Sequence, residues 1–244
     1  MSAKNKYNPQ PESSKSTYIL GGIAVAVVAL LVIGGVLWQN NRSAPRNDGY
    51  GTVTNSAVEV SLGENGVVTL GQPGAPNTVD IFEDPMCPYC AELEHRSGQE
   101  LAQAVDEGRV EVRYHILSFL DRLSSSGDYS TRAAAASQCV AETGDAIAYS
   151  AFHARLFGSD FQPAENGSAD HSNDELAQLA RDAGATDEAA SCIEAGTRVE
   201  QAATAAEAGR QALAQTGAQG TPTVIVNGEI VDGLGNPEWV TEIN

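Results

Sequence analysis

The pattern of apolar and polar positions divides the chain into two unlike parts. Residues 18–38, YILGGIAVAVVALLVIGGVLW, carry no charge. As a helix they would extend about 30 Å, the thickness of the hydrocarbon core of a bilayer. Tyr18 and Trp38 close the run at its two ends, where amphipathic rings suit the headgroup level. The pattern predicts a cytoplasmic segment over 1–17, a transmembrane helix over 18–38 and a tether over 39–65, the last polar and punctuated by Pro45, Gly49 and Gly51. A cleaved secretory signal is the competing reading. Its apolar stretch usually runs about 7 to 15 residues, and the flank 40–45 offers no clear small-x-small site.

Beyond the tether the apolar positions alternate in short runs and then change period. Residues 66–70 (GVVTL) and 78–82 read as strands and as possible neighbours in a sheet. A helix is expected from Cys87 to about Val105, with Leu93, Leu101 and Val105 on its apolar face, followed by the alternating strand 110–116, VEVRYHI. From 129 to about 215 the sequence turns alanine-rich with helical spacing, which predicts a helical insertion. Its expected pieces are a helix over 130–156, a polar loop over 158–171, and a helix from the Ser172/Glu175 capping box to about Ala183. Further helices are expected near Asp187 and from near Gly196 to before Gly217. A disordered alanine-rich linker is the alternative, but Leu, Ile, Phe and Cys interrupt it too regularly. Strand character returns at 223–226 and 229–231 around an Asn227-Gly228 turn, and Asn236-Pro237-Glu238 opens a predicted terminal helix over 236–243. The fold class is α/β, a mixed sheet with a helical insertion, forming one domain over 66–244.

Charge narrows the partners. From Asp48 onward there are 31 acidic residues against nine arginines and no lysine, a formal charge of −22. Such a field repels phosphate backbones and argues against nucleic acid. Lys4, Lys6 and Lys15 slightly outweigh Arg42 and Arg46 across the apolar run, favouring an inside N-terminus. Four cysteines beyond the membrane fit two disulfides in an oxidising compartment better than four cytosolic thiols.

Candidate chemistry centres on Cys87-Pro88-Tyr89-Cys90. A helix beginning at Cys87 points unpaired N–H groups at its sulfur and stabilises the thiolate, which is both the attacking species and the better leaving group. Pro88 suits a first helical turn. Cys90, one turn on, is placed to attack a mixed disulfide. A CxxC pair also supplies half of a zinc site, but Cys139 and Cys192 are isolated and none of His95, His115, His153 and His171 completes a second half. Redox chemistry is therefore expected rather than an inert disulfide or a metal, with no cofactor. Small residues about one turn from Cys139 and Cys192 leave room for a second, structural disulfide within the insertion; two buried thiols are the alternative.

The strand, the CPYC helix start, the helical insertion and Gly220-Thr221-Pro222-Thr223 together resemble the DsbA-like branch of the thioredoxin superfamily, in particular its membrane-linked members in Gram-positive bacteria. The resemblance covers about 66–243 and implies a thioredoxin-like sheet. It also implies Cys87 as nucleophile, Cys90 as resolving cysteine, Pro222 as a cis-proline facing the pair, and Thr221 as a backbone contact for an extended peptide. By itself, proline before a strand has a low base rate of cis bonds. The resemblance further implies oxidation of reduced, unfolded exported proteins and reoxidation by a quinone-linked DsbB-like or VKOR-like membrane oxidase. A reductase or isomerase, or a tethered non-catalytic chaperone or assembly factor, are the other readings. Met86 and Tyr89 are expected to offer apolar surface to clients. The chain departs from the pattern of an acid six positions before the first cysteine, where it has Ile81. Glu83, expected just beyond the strand, is preferred over Asp80 to assist proton transfer, a solvated rim charge being the alternative.

Protease added to intact cells should digest the domain beyond Asp48. A shielded domain, or a mature N-terminus mapping beyond Trp38, would contradict the anchored topology.

Overall fold

A computed structural model describes residues 49–243 and, upstream of them, Ile23 and Val32 alone. The expected cytoplasmic segment and, apart from those two positions, the expected membrane helix lie outside the described residues.

The frame is a six-stranded mixed sheet. Its strands are β1 (Glu59–Leu62), β2 (Val68–Gly71), β3 (Asn77–Glu83), β4 (Val110–Ile116), β5 (Thr223–Val226) and β6 (Glu229–Val231). They lie in the order β1-β2-β4-β3-β5-β6. Only β3 and β4 are parallel, with Val79 opposite Val112 and Ile81 opposite Tyr114. Parallel neighbours need a crossover, and α1 (Pro88–Asp106) supplies it. Strand β4 alternates strictly between buried and half-buried residues, as its period-two sequence requires.

The helices of the insertion are α2 (Tyr129–Ala141), α3 (Ala146–Leu156), α4 (Asn173–Asp182), α5 (Asp187–Glu194) and α6 (Val199–Gln215). Helix α4 begins at the Ser172/Glu175 capping box. Alanines at 133–136 of α2 are buried, so its backbone can approach its neighbours closely. Cys139 on α2 and Cys192 on α5 are joined in a disulfide, with Cα atoms 5.9 Å apart.

Several expectations need correction. The strands at 66–70 and 78–82 are not neighbours, because β4 lies between β2 and β3; strand order is set by the crossover, which leaves no local mark. The single helix expected over 130–156 is two. Gly144 takes a left-handed φ of +76° that ends the first, and the Asp145 side chain caps the second by accepting from the Ala148 N–H. Residues 236–243 form successive turns rather than a helix. Asn236 does accept from the Glu238 N–H, but the segment is held by buried Trp239, Val240 and Ile243, and the Trp239 indole donates to Ser97 Oγ at 2.8 Å.

The expected tether is also ordered over much of its C-terminal part. Residues 59–62 pair with β2 as an edge strand, and Val53 is fully buried. The Asp106 carboxylate accepts from the Thr54 and Asn55 backbone N–H groups and from the Thr54 hydroxyl. These contacts span about 50 residues of sequence and are invisible to local composition.

Removing the staple with a Cys139→Ala/Cys192→Ala double substitution should lower stability. Loop entropy for a separation of 53 residues sets a ceiling of about 4 kcal/mol. Urea unfolding with the Cys87–Cys90 pair held in one redox state measures it, and an unchanged midpoint would deny the disulfide that role.

Candidate active site

Cys87 is the N-cap of α1, with Pro88 at the first helical position. The N–H groups of Cys90 and Ala91 donate to the Cys87 carbonyl, closing the first turn. Across from it the Thr221–Pro222 peptide is cis, and the Cys87 thiol lies 3.5 Å from the Thr221 carbonyl, to which it donates. Pro88 and Tyr89 are exposed, Tyr89 at 64%. Met86, expected beside Tyr89 on the surface, is only 1% exposed, because the turn leading into the helix folds its side chain inward. Of the two, only Tyr89 offers substantial surface.

Both thiols are free and buried, yet their acidities diverge. The Cys87 thiol is lowered from about 9 to about 6, chiefly by a hydrogen bond from the Cys90 thiol. Burial opposes this, while Thr221 and the backbone N–H groups of Cys90 and Tyr89 assist it. Cys90 moves the other way, raised by burial, by its bond to Cys87 and by the charges of Cys87 and Glu83.

Glu83 is the last residue of β3 and is buried, so it is neither beyond the strand nor a solvated rim charge. Burial, then the charges of Glu94, Cys87 and Asp84, hold its carboxyl well above the usual range. Asp80 does not join this cluster. It faces the other side of β3 and meets His115 Nε2 at 2.8 Å.

Sequence reasoning missed three contributors. Asp84, fully buried, accepts from the Met86 and Leu120 N–H groups at 3.0 Å and from Ser130 Oγ at 2.6 Å. Its carboxyl is pushed up to about 7 by burial, against these bonds. The Gln162 side chain donates to the carbonyls of Pro85 and Cys87, clamping the turn from the insertion. His153 stands behind the pair on α3, 3.5 Å from Glu83. An Asp-Pro step before the cysteines signals a turn, but nothing local marks Gln162 or His153. Beside α1 runs a groove of about 890 Å³, lined among others by Pro88, Ala91, Glu94, Phe157 and Gln162.

A low-pKa cysteine at a helix start, a buried partner one turn on and a cis-proline across from them, set on this sheet, define a thiol-disulfide oxidoreductase. Residues 64–243 match the family model described as thioredoxin, and the chain belongs to that family. Among solved structures it is similar to the MdbA protein, a thiol-disulfide oxidoreductase from Corynebacterium diphtheriae, at 27% identity and TM-score 0.69, covering 81% of this chain and all of that one. It is similar also to DsbA from Mycobacterium tuberculosis, at 32% identity and TM-score 0.60, covering 80% and 91%. Over 187 residues, 77% of this chain, it is 42% identical to the serine/threonine-protein kinase PknE of Mycobacterium tuberculosis, of whose length it spans 33%.

Thiolate absorbance of the reduced protein should rise through a single transition near pH 6, assigned to Cys87, with Cys90 silent until far more alkaline conditions. A folded pKa below the unfolded one stabilises the reduced fold fully above about pH 9, and that stabilisation is lost as pH falls through about 6. The stability of the reduced form relative to the disulfide form should therefore climb between pH 6 and 9. A first transition above pH 8 would contradict the reading.

Proposed function

We propose that this enzyme introduces disulfides into exported proteins through Cys87 and Cys90. The observation that carries the proposal is the opposed acidity of the two thiols. A client thiolate attacks Cys87 Sγ, the Cys87–Cys90 bond breaks and Cys90 leaves as a thiolate that is then protonated. A second client thiolate attacks the client sulfur of the mixed disulfide and displaces Cys87, which departs readily because its thiolate is stabilised. The client leaves oxidised and the pair leaves reduced, two electrons having passed to the enzyme. Pro88 and Tyr89 support the turn, Thr221 and Pro222 face the incoming peptide, and Glu83 supplies the proton that Cys90 takes up.

Stabilising the thiolate of the reduced form makes a disulfide more oxidising, which supports this direction over a reductase or isomerase. The raised acidity of Cys87 likewise supports an enzyme over a tethered chaperone. In this reading the single-pass anchor at 18–38 holds the catalytic domain outside the cell membrane. Reduced, unfolded exported proteins are the clients, and a quinone-linked DsbB-like or VKOR-like membrane oxidase restores the pair in the same plane.

Oxidised protein mixed with a reduced, unfolded client should generate client disulfides. Cys87→Ser should abolish turnover, and Cys90→Ser should accumulate mixed disulfides through Cys87. The reduction potential in a glutathione buffer decides direction: a value near or below about −270 mV would turn the assignment to a reductase.

A further inference from the structure

Behind the cysteine pair lies a polar cluster that the exchange steps leave unexplained. His153, on α3, is 3% exposed at its side chain, and its Nε2 stands between two carboxyls, 3.5 Å from Glu83 Oε1 and 3.8 Å from Glu94 Oε2. Neither ring nitrogen has a hydrogen-bond partner among the described residues, nor has Glu83 Oε1. Buried polar atoms are nearly always paired, so three orphans in one cluster call for a role. Three aromatic rings pack around it. Tyr114 of β4 packs on the imidazole at 4.2 Å between centroids, Phe157 at 5.0 Å and Tyr149 of the same helix at 6.1 Å. The titratable groups facing the ring are thus Glu83 from β3, Glu94 from α1 and the two tyrosines, whose hydroxyls burial keeps protonated.

Glu94 differs from its partners in reaching solvent. Its side chain is 20% exposed and lines the open groove beside α1. It also lines a small interior cavity shared with His153, Tyr114 and Ser150. Gly98, one turn along α1, makes this placement possible, since a Cβ there would run into the Glu94 carboxylate. Glu83 at the other end is electrostatically coupled to both cysteines. Glu94, His153 and Glu83 are thus contiguous from the groove inward, and the charge of Glu83 acts on both cysteines.

We propose that His153 and Glu94 complete a proton path between the groove and Cys90, His153 passing the proton between the carboxyls of Glu94 and Glu83. The inference rests on the reading of Cys90 as the resolving cysteine. When a client thiolate breaks the Cys87–Cys90 bond, the Cys90 thiolate takes a proton from Glu83. His153 Nε2 then accepts the proton of Glu94 and hands it to the Glu83 carboxylate, Nδ1 keeping its own proton throughout. Glu94 is reprotonated from solvent in the groove. One proton moves from water to Cys90, no electrons travel along the path, and reoxidation runs it backwards. Burial keeps the resting imidazole neutral and raises both carboxyls, Glu94 to about 7, so the path holds no stranded imidazolium at rest. His153 acts through Glu83 and is a positioning and relay residue.

The test uses the detergent-solubilised full chain, oxidised, with reduced glutathione as probe. The rate of Cys87–Cys90 reduction is followed from pH 5 to 8 in water and in heavy water. His153→Phe, which keeps the aromatic packing, and Glu94→Gln should each slow the reaction about tenfold or more, flatten its pH profile and raise the solvent isotope effect. The Cys87 thiolate transition should remain near pH 6, showing an intact pair. Gly98→Ala, which displaces Glu94 without touching His153, should reproduce the Glu94→Gln profile. If His153→Phe does not fold, the other two variants decide. Wild-type rates and pH profiles in Glu94→Gln and Gly98→Ala, or a uniform slowing with an unchanged profile, would overturn the relay. That outcome is distinct from failure of the oxidase reading, in which the unsubstituted protein itself would not oxidise a client.

Discussion

The site depends on one buried carboxylate. Asp84, with no exposed surface, gathers donors from three segments that are far apart in sequence: the Met86 N–H in the turn before the cysteines, the Leu120 N–H beyond β4 and the Ser130 hydroxyl at the start of α2. Each donor offsets part of the cost of keeping the group out of water, and losing any one would leave an uncompensated polar atom in the interior. The Cys87 N–H donates to the Asp84 carbonyl at 2.9 Å, so the first cysteine is held by the same residue that ties sheet to insertion. Where α1 begins, and hence where its unpaired N–H groups point, follows from that knot.

From this position the two thiols acquire opposite tendencies with no cation acting on them among the described residues. The sulfur at the helix start receives hydrogen bonds, whereas the sulfur one turn inside meets desolvation and the negative field of Glu83. In the proposed exchange, a single difference in depth along one helical turn separates a leaving group from a group that must be protonated. This asymmetry gives the pair its chemistry, because a stabilised thiolate in the reduced state is what makes the corresponding disulfide a ready donor.

The helical insertion serves the site as well as covering the sheet. Helix α2 carries Ser130 near one end and Cys139 near the other, so the disulfide to α5 restrains the same helix that supplies a donor to Asp84. Helix α3 contributes His153, and the loop after it contributes Gln162, which grips the carbonyls of Pro85 and Cys87. The ordered segment from Val53 to Leu62 closes the opposite edge, pinned by Asp106 at the end of α1. The active helix is thus fixed at both ends by contacts from outside its own sequence neighbourhood.

The sequence by itself determined whatever is written in local chemistry. CPYC, the Ser172/Glu175 box, the Asn227-Gly228 turn and the alternation of 110–116 each specify backbone geometry within a few residues, and those elements stand where their pattern puts them. The uncharged apolar run at 18–38 is legible in the same way, through hydropathy. What only the tertiary structure decided involves partners distant along the chain. The strand order that separates β2 from β3, the burial of Met86 and Val53, the pairing of the short edge strand β1, and the turns that replace a terminal helix all follow from packing between segments. The same holds for the site: Asp84, Gln162 and His153 have no periodicity or motif to announce them, because a buried hydrogen bond or a shared proton depends on distance in space, which local pattern does not encode.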